Sequence, residues 1–121
     1  MIINPEQAKK LKDLGFPQDM YYGVYYYAEE STCPIPFLGA PLVKNFYVAP
    51  SLEQVAKWLR EEKNLWIEIS KGGYEKSAHC FLGDDYIYED ATHIKEFNSY
   101  EEALSSGVDK AIEILKKNDN N

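Results

Sequence analysis

The chain has 121 residues, of which 45% are hydrophobic and 27% are charged, a composition typical of one globular domain. With 13 Lys and Arg against 20 Asp and Glu, the net charge is -7, which disfavours binding to the phosphate backbone of a nucleic acid. Because no apolar run reaches the length of a signal peptide or membrane span, we expect a cytoplasmic protein without a membrane segment. Cys33 and Cys80 are too few for a disulfide framework and too isolated for a zinc site. We therefore expect free thiols and no cofactor.

Three helices are predicted from their end signals. Asn4 is a capping residue for the first helix, and Gly15 is placed to end it in the left-handed conformation. Ser51 and Ser99 each precede an acidic or amide residue at capping-box spacing and an amphipathic pattern, which predicts the second and third helices. Gly107 weakens the third helix by roughly 1 kcal/mol unless close packing requires the missing side chain.

Segments rich in aromatic and β-branched residues predict the strands 21–28, 43–49, 65–70, 77–82 and 86–89. A tight hairpin is expected at residues 83–85, whereas the prolines of the stretch 29–41 indicate a long connection without an element of its own. The order of elements predicts an α+β fold, with a mostly antiparallel sheet of about 4–5 strands and three helices packed on one face. We expect a single domain over residues 1–121, with a frayed tail at 118–121.

The stretch SAHCFLG places His79 directly beside Cys80. In a strand, neighbouring side chains point to opposite faces, so His79 cannot act as the base for the Cys80 thiol, and we expect Cys80 to be buried. The stretch 83–93 gathers carboxylates with His93 but lacks the residue order of a calcium loop, which favours a turn without a metal. A small hydrolase or metal-dependent enzyme using His79, His93, Cys80 or Asp90 is therefore the least favoured hypothesis.

Aromatic residues are the most distinctive feature of the chain, with five tyrosines in the stretch MYYGVYYYAEE. Such residues pack in cores or between strands, or they form an exposed face that binds a partner. The apolar residues Ile35, Phe37 and Leu38 present the same alternatives in the loop. As candidate binding residues we select Tyr25, Tyr27, Phe37, Trp66, Tyr86 and Tyr88.

Three stretches carry a resemblance that spans most of the chain: AKKLKDLGF at 8–16, APSLEQVAKWLREEKN at 49–64 and FNSYEEALSSGVDKAIEIL at 97–115. In this order they resemble small proteins encoded by phages and prophages of gut Bacteroidetes. The family has no established activity. The resemblance therefore implies a phage-associated intracellular protein and carries over no catalytic residue.

The hypothesis we favour is a non-catalytic module that binds an unknown protein or associates with itself, through an aromatic sheet face or through the proline-rich loop. A second hypothesis follows from the net charge of -7 and the phage resemblance: an acidic decoy that mimics nucleic acid and occupies a host protein. Its binding is expected to fall steeply with added salt.

Overall fold

The chain folds as an α+β protein with antiparallel strand pairing, which confirms the predicted class. The computed structural model describes residues 1–19, 25–38, 41, 43–73, 77–83 and 85–119. The helices are α1 (Pro5–Asp13), α2 (Leu52–Lys63) and α3 (Tyr100–Asp119). The strands are β1 (Tyr25–Ala28), β2 (Ile35–Pro36), β3 (Phe46–Val48), β4 (Ile67–Lys71), β5 (Ala78–Leu82) and β6 (Asp85–Tyr86).

These strands form two three-stranded sheets, in the orders β2-β1-β3 and β4-β5-β6, where the sequence predicted one sheet. The chain divides into two compact units, Met1–Gln54 and Val55–Asn121, and each sheet belongs to one unit. Helix α2 begins at the end of the first unit and continues into the second. Whether the chain behaves as a single domain stays a prediction.

In the first unit, α1 has the predicted ends. The Asn4 side chain accepts a hydrogen bond from the Gln7 backbone N–H at 2.8 Å, and the Gln7 side chain accepts one from the Asn4 N–H at 3.0 Å. Gly15 has a φ of 92°, and the Phe16 N–H donates to the Leu11 carbonyl at 2.9 Å, which closes the helix in a Schellman motif. Both ends of α1 are therefore determined by local sequence.

The first sheet contains one strand that the sequence did not predict. Ile35 and Pro36 form β2 and pair with Tyr26 and Tyr25 of β1, inside the stretch that was expected to be a connection. Proline is tolerated because β2 is an edge strand, where one side of the backbone makes no ladder hydrogen bonds.

In the second unit, α3 packs on one face of the sheet. Ala78, Cys80 and Leu82 alternate along β5 as its buried residues, as predicted from the strand pattern. Ile67 and Ile69 pack against the buried cluster that includes Ala78 and Cys80. Helix α3 supplies Ala103, Leu104, Val108, Ala111 and Ile112 as its buried residues. It includes residues 118 and 119, which were expected to fray, while 120 and 121 lie outside the described residues.

At Gly107, helix α3 approaches the sheet closely. A Cβ atom at residue 107 would lie 2.8 Å from the Cys80 Sγ and 2.8 Å from the Ile67 Cγ2. Both distances are shorter than ordinary van der Waals contacts. The glycine that the sequence identified as a cost to the helix is thus required by the packing of the helix on the sheet.

We predict that Gly107→Ala lowers the free energy of unfolding by about 1–2 kcal/mol, because overpacking outweighs the gain in helix propensity. Ser106→Ala is the control, because it also introduces an alanine into α3 but at a position without the close contact to Cys80 and Ile67. It is expected to be neutral or slightly stabilising. Urea unfolding followed by circular dichroism measures both variants. A Gly107→Ala protein as stable as the wild type would contradict this, because it would show that the helix and the sheet can shift to make room for the methyl group with no loss of stability.

Candidate functional site

The six candidate binding residues lie in two different units of the chain. Tyr25, Tyr27 and Phe37 belong to the first unit, and Trp66, Tyr86 and Tyr88 belong to the second. The predicted aromatic face that joins all of them therefore divides into two sets, which differ in exposure. Tyr21 and Tyr22, which belong to the same tyrosine-rich stretch, lie outside the described residues.

In the first unit, the aromatic residues mainly form the core. Tyr27 is 4% exposed, and its hydroxyl donates a hydrogen bond to the Ile3 carbonyl at 2.8 Å. Burial raises the pKa of this tyrosine. The prediction that Tyr27 offers a binding surface is thus corrected, because its ring is enclosed and its hydroxyl already holds the N-terminal segment.

Phe37 also packs within the first unit. Its ring centroid lies 4.8 Å from that of Tyr26 and 6.1 Å from that of Phe46, so three aromatic rings form one cluster. The sequence left open whether the apolar residues of this loop pack on the core or stay exposed. Phe37 packs on the core, whereas Leu38 is exposed. Tyr25 is 37% exposed and is the candidate of this unit that keeps a substantial surface.

The second sheet carries an aromatic face on the side opposite to its buried residues. Phe81 of β5 pairs directly with Tyr86 of β6 and with Glu68 of β4, so these three side chains share the outer side of the sheet. Trp66 lies two residues before Glu68, and its carbonyl accepts a hydrogen bond from the Gly83 N–H at 2.8 Å, which extends the ladder to residue 66. We call Trp66, Phe81 and Tyr86 the aromatic face.

The rings of the aromatic face are held by contacts with their neighbours. The Phe81 and Tyr86 centroids are 5.0 Å apart at an interplanar angle of 72°, an edge-to-face arrangement. The Arg60 guanidinium carbon lies 5.5 Å from the centroid of the Trp66 ring, within the range of a cation–π contact. Trp66 is nevertheless 52% exposed and Tyr86 38% exposed. The face thus combines ordered rings with accessible surface.

A hydrogen-bonded group of His79, Glu96 and Ser77 borders the aromatic face. The His79 Nε2 lies 2.6 Å from the Glu96 Oε1, and the His79 ring contacts the Tyr86 ring edge-on at 6.1 Å. The pKa of Glu96 is lowered by its hydrogen bond with His79, and further by those from Ser77 and the Gly73 N–H. This carboxylate ties the segment before Phe97 to both β5 and the turn that follows β4.

The order of these three groups decides what chemistry they can perform. A nucleophilic triad requires the histidine between the hydroxyl and the carboxylate, so that the imidazole removes the proton of the hydroxyl. Here Glu96 lies between Ser77 and His79 and accepts from both. In this order the imidazole does not act on the Ser77 hydroxyl, and the lowered pKa of Glu96 makes its carboxylate a weak base, which favours a structural role for the group.

The remaining candidates for chemistry are also held in local interactions. Asp90 accepts hydrogen bonds from the backbone N–H of Thr92 at 2.8 Å and of His93 at 3.0 Å, and these bonds, with the His93 side chain, lower the pKa of Asp90. This arrangement is the predicted turn. Cys80 is buried, and desolvation raises its pKa to about 11, so its thiol is protonated at neutral pH. Among the described residues, no group of three or more His, Cys, Asp and Glu side chains could hold a metal ion.

Tyr88 lines an open groove along the edge of the second sheet, together with Tyr86 of the aromatic face. The groove has a volume of about 380 Å³, and α3 lines its other wall with Lys110 and Ile114. A hydrogen bond with Asp85, followed by the negative charge of that carboxylate, raises the pKa of Tyr88. The groove therefore adjoins the aromatic face through Tyr86.

No family model, no curated protein sequence and no solved structure matches this chain. Within the part of the chain that the structure describes, no helix has the length and apolar character needed to cross a membrane.

Three residues of this region were missed by the sequence-based selection. Strand alternation places Phe81 on the outer side of β5, but alternation alone does not show that its ring packs against Tyr86 of the next strand. Glu96 and Arg60 had no local signal, since each reaches its partner through a contact between separate elements. Alternation along β5 was the pattern that identified the outer side of this sheet.

We predict that the Glu96 carboxylate stabilises the fold at neutral pH and that this contribution is lost on acidification. Its folded-state pKa is lowered from the ordinary 4.5, so the stabilisation is fully present above 4.5 and disappears as the pH falls through the lower value. Thermal unfolding of wild type and Glu96→Gln between neutral and acidic pH is the measurement. The difference in melting temperature is expected to be largest at neutral pH and to shrink in acid.

Glu68→Gln is the matched control for that measurement, because it removes an exposed carboxylate from the same side of the sheet. It is expected to leave the pH dependence close to that of the wild type. A Glu96→Gln protein with an unchanged acid profile would contradict a stabilising role for the pair with His79.

We predict that only Cys33 reacts with a thiol reagent in the folded protein. Cys33 is exposed, whereas Cys80 is buried and its pKa of about 11 leaves little thiolate at neutral pH. Labelling with an aromatic disulfide reagent, followed by absorbance, is expected to show one fast thiol and a second only after unfolding. Rapid labelling of a Cys33→Ser variant under native conditions would contradict the buried position of Cys80.

Proposed function

We propose that this chain is a non-catalytic protein-binding module and that its contact surface is the aromatic face of the second sheet. The observation that supports this proposal is that Phe81 of β5, Tyr86 of β6 and Trp66, just before β4, lie on the side of the second sheet opposite to its buried residues. Tryptophan and tyrosine are enriched at the centres of protein interfaces, where a rigid ring provides contact area at low entropic cost.

The charges around this face favour a basic partner. Glu68 is exposed on the outer side of the sheet, between Trp66 and Ser70, and it lies directly opposite Phe81. The whole chain carries a net charge of -7, which attracts a cationic partner at long range. A lysine or arginine of the partner can pair with Glu68 while its neighbours contact the rings.

The residues capable of chemistry support a binding role for the face. His79 and Glu96 border it as a hydrogen-bonded pair, and the Cys80 thiol lies on the buried side of the same strand. These groups stabilise the sheet that presents the rings. The phage-associated context implied by the sequence resemblance is part of the proposal, and it suggests a host or phage protein as the partner.

The test is selection of binders from displayed fragments of a bacterial and phage proteome, followed by affinity measurement with purified variants. We predict that Trp66→Ala and Tyr86→Ala each weaken binding by about 2 kcal/mol, as residues at the centre of an interface do. Tyr25→Ala is the matched control, because Tyr25 is 37% exposed and Tyr86 is 38% exposed, but Tyr25 lies on the first sheet. Circular dichroism verifies that each variant is folded.

Light scattering of the same variants decides whether the partner is a second copy of the chain. An oligomer that dissociates in Trp66→Ala and persists in Tyr25→Ala would assign the face to self-association. Binding that is insensitive to both aromatic substitutions and falls steeply with salt would contradict the proposal and favour the acidic decoy.

A further inference from the structure

Within the described part of the chain, strand β4 has one side of its backbone free of ladder hydrogen bonds, because it lies at the edge of the second sheet. The Gly72 N–H donates to the Ser77 carbonyl, and the Gly83 N–H donates to the Trp66 carbonyl. In an antiparallel pair, hydrogen-bonded residues alternate with residues that are not, so the even-numbered residues of β4 face β5. The backbone groups of Ile67, Ile69 and Lys71 therefore point away from the sheet.

At this edge, the apolar side chains of β4 are only partly covered by the rest of the second unit. Ile67 and Ile69 pack against the buried cluster of the unit but are themselves only half-buried. Beside the end of β4 lies a hollow of about 350 Å³, lined by Ile69, Ala78 and Tyr100 together with Ser70, Lys71 and Ser77. The lining of the hollow thus combines apolar side chains with hydroxyl groups and the Lys71 ammonium group.

We propose that β4 binds an extended segment of the partner polypeptide as an added strand. The segment would pair with the outward backbone groups of Ile67, Ile69 and Lys71, and it would complete the burial of the two isoleucines. This inference rests on the proposed binding function and specifies how the partner is held: by backbone hydrogen bonds at the edge, with side chains reaching the aromatic face.

The alternation of β4 defines the chemistry of the segment. A residue opposite Ile69 directs its side chain toward the hollow, where an aliphatic or aromatic group fits between Ile69 and Tyr100. The adjacent residues point to the outer side, where the exposed carboxylate of Glu68 favours lysine or arginine, and where the Trp66 ring, already in contact with Arg60, offers apolar surface. The expected occupant is thus a short amphipathic strand with alternating apolar and basic residues.

Charge argues for another polypeptide over a second copy of this chain. Two copies each carry a net charge of -7 and repel each other, while a basic segment is attracted. The segment that pairs with β4 must also be short, because β4 ends at Lys71 and is followed by Gly72 and Gly73.

The experiment uses a displayed library of strand-length peptides, selected against the full-length protein. Selected peptides are expected to alternate apolar and basic residues. In the complex, the backbone amides of Ile67, Ile69 and Lys71 should exchange with solvent more slowly, as measured by NMR. Lys71→Pro removes one outward N–H and should weaken binding about fivefold or more, whereas Lys71→Ala keeps that N–H and should have a smaller effect.

A second pair of variants keeps the test valid if Lys71→Pro fails to fold. Tyr100→Ala removes a wall of the hollow and is expected to weaken peptides with a bulky apolar residue, while Tyr88→Ala serves as the control. The two tyrosines are 48% and 47% exposed but border different cavities. Equal effects of Tyr100→Ala and Tyr88→Ala, with unchanged exchange of the β4 amides, would overturn the added strand.

The outcomes separate this inference from the proposed function. If Trp66→Ala weakens binding while the β4 amides and Tyr100 are unaffected, the aromatic face binds and the added strand is wrong. If no peptide is selected and no proteome fragment binds, both proposals fail. Protection of the β4 amides in the free protein at high concentration, with a doubled mass in light scattering, would identify a second copy as the occupant and overturn the basic segment.

Discussion

The second unit depends on the close contact between α3 and its sheet at Gly107. Because residue 107 has no side chain, the helix backbone reaches van der Waals contact with Cys80 and Ile67. A helix held at that distance covers the inner side of β4 and β5, where the small residues Ala78 and Cys80 fit beneath it. The cost of a glycine within a helix is offset by the apolar area that this contact buries.

Covering one side of the sheet determines what the other side can be. In an antiparallel sheet of alternating residues, the side chains that do not face the helix face solvent, so Trp66, Phe81 and Tyr86 are presented together. Contact with water is unfavourable for large rings on such a side. The edge-to-face contact of Phe81 with Tyr86 offsets only part of this cost. The face and the open edge of β4 belong to the same sheet, so one extended partner can contact both.

The sequence predicted well the features that depend on neighbouring residues. Capping by Asn4, the glycine that ends α1 and the alternation along β5 are local, and all three are present. The separation into two sheets and the short β2 were missed, because strand pairing depends on contacts between residues far apart in the chain. Exposure was the least predictable property of the candidate site. Tyr25 and Tyr27 are two residues apart in β1, so alternation places them on the same side of the strand, yet Tyr25 is exposed and Tyr27 is buried. The two ends of β1 have different neighbours: Tyr25 pairs with Pro36 of β2, and Tyr27 pairs with Tyr47 of β3.

The pair of His79 and Glu96 shows how side chains that resemble a catalytic group can serve the fold. The segment before Phe97 crosses beside β5, where Ala78 and Phe97 exchange backbone hydrogen bonds, each 2.9 Å long. Glu96 is the residue just before this bridge, and it reaches His79, Ser77 and the turn at Gly73 from there. A carboxylate with several donors is fixed in one rotamer, and it fixes the imidazole that contacts Tyr86. The polar group therefore orients one ring of the aromatic face, which links the residues that looked chemical in the sequence to the surface proposed to bind.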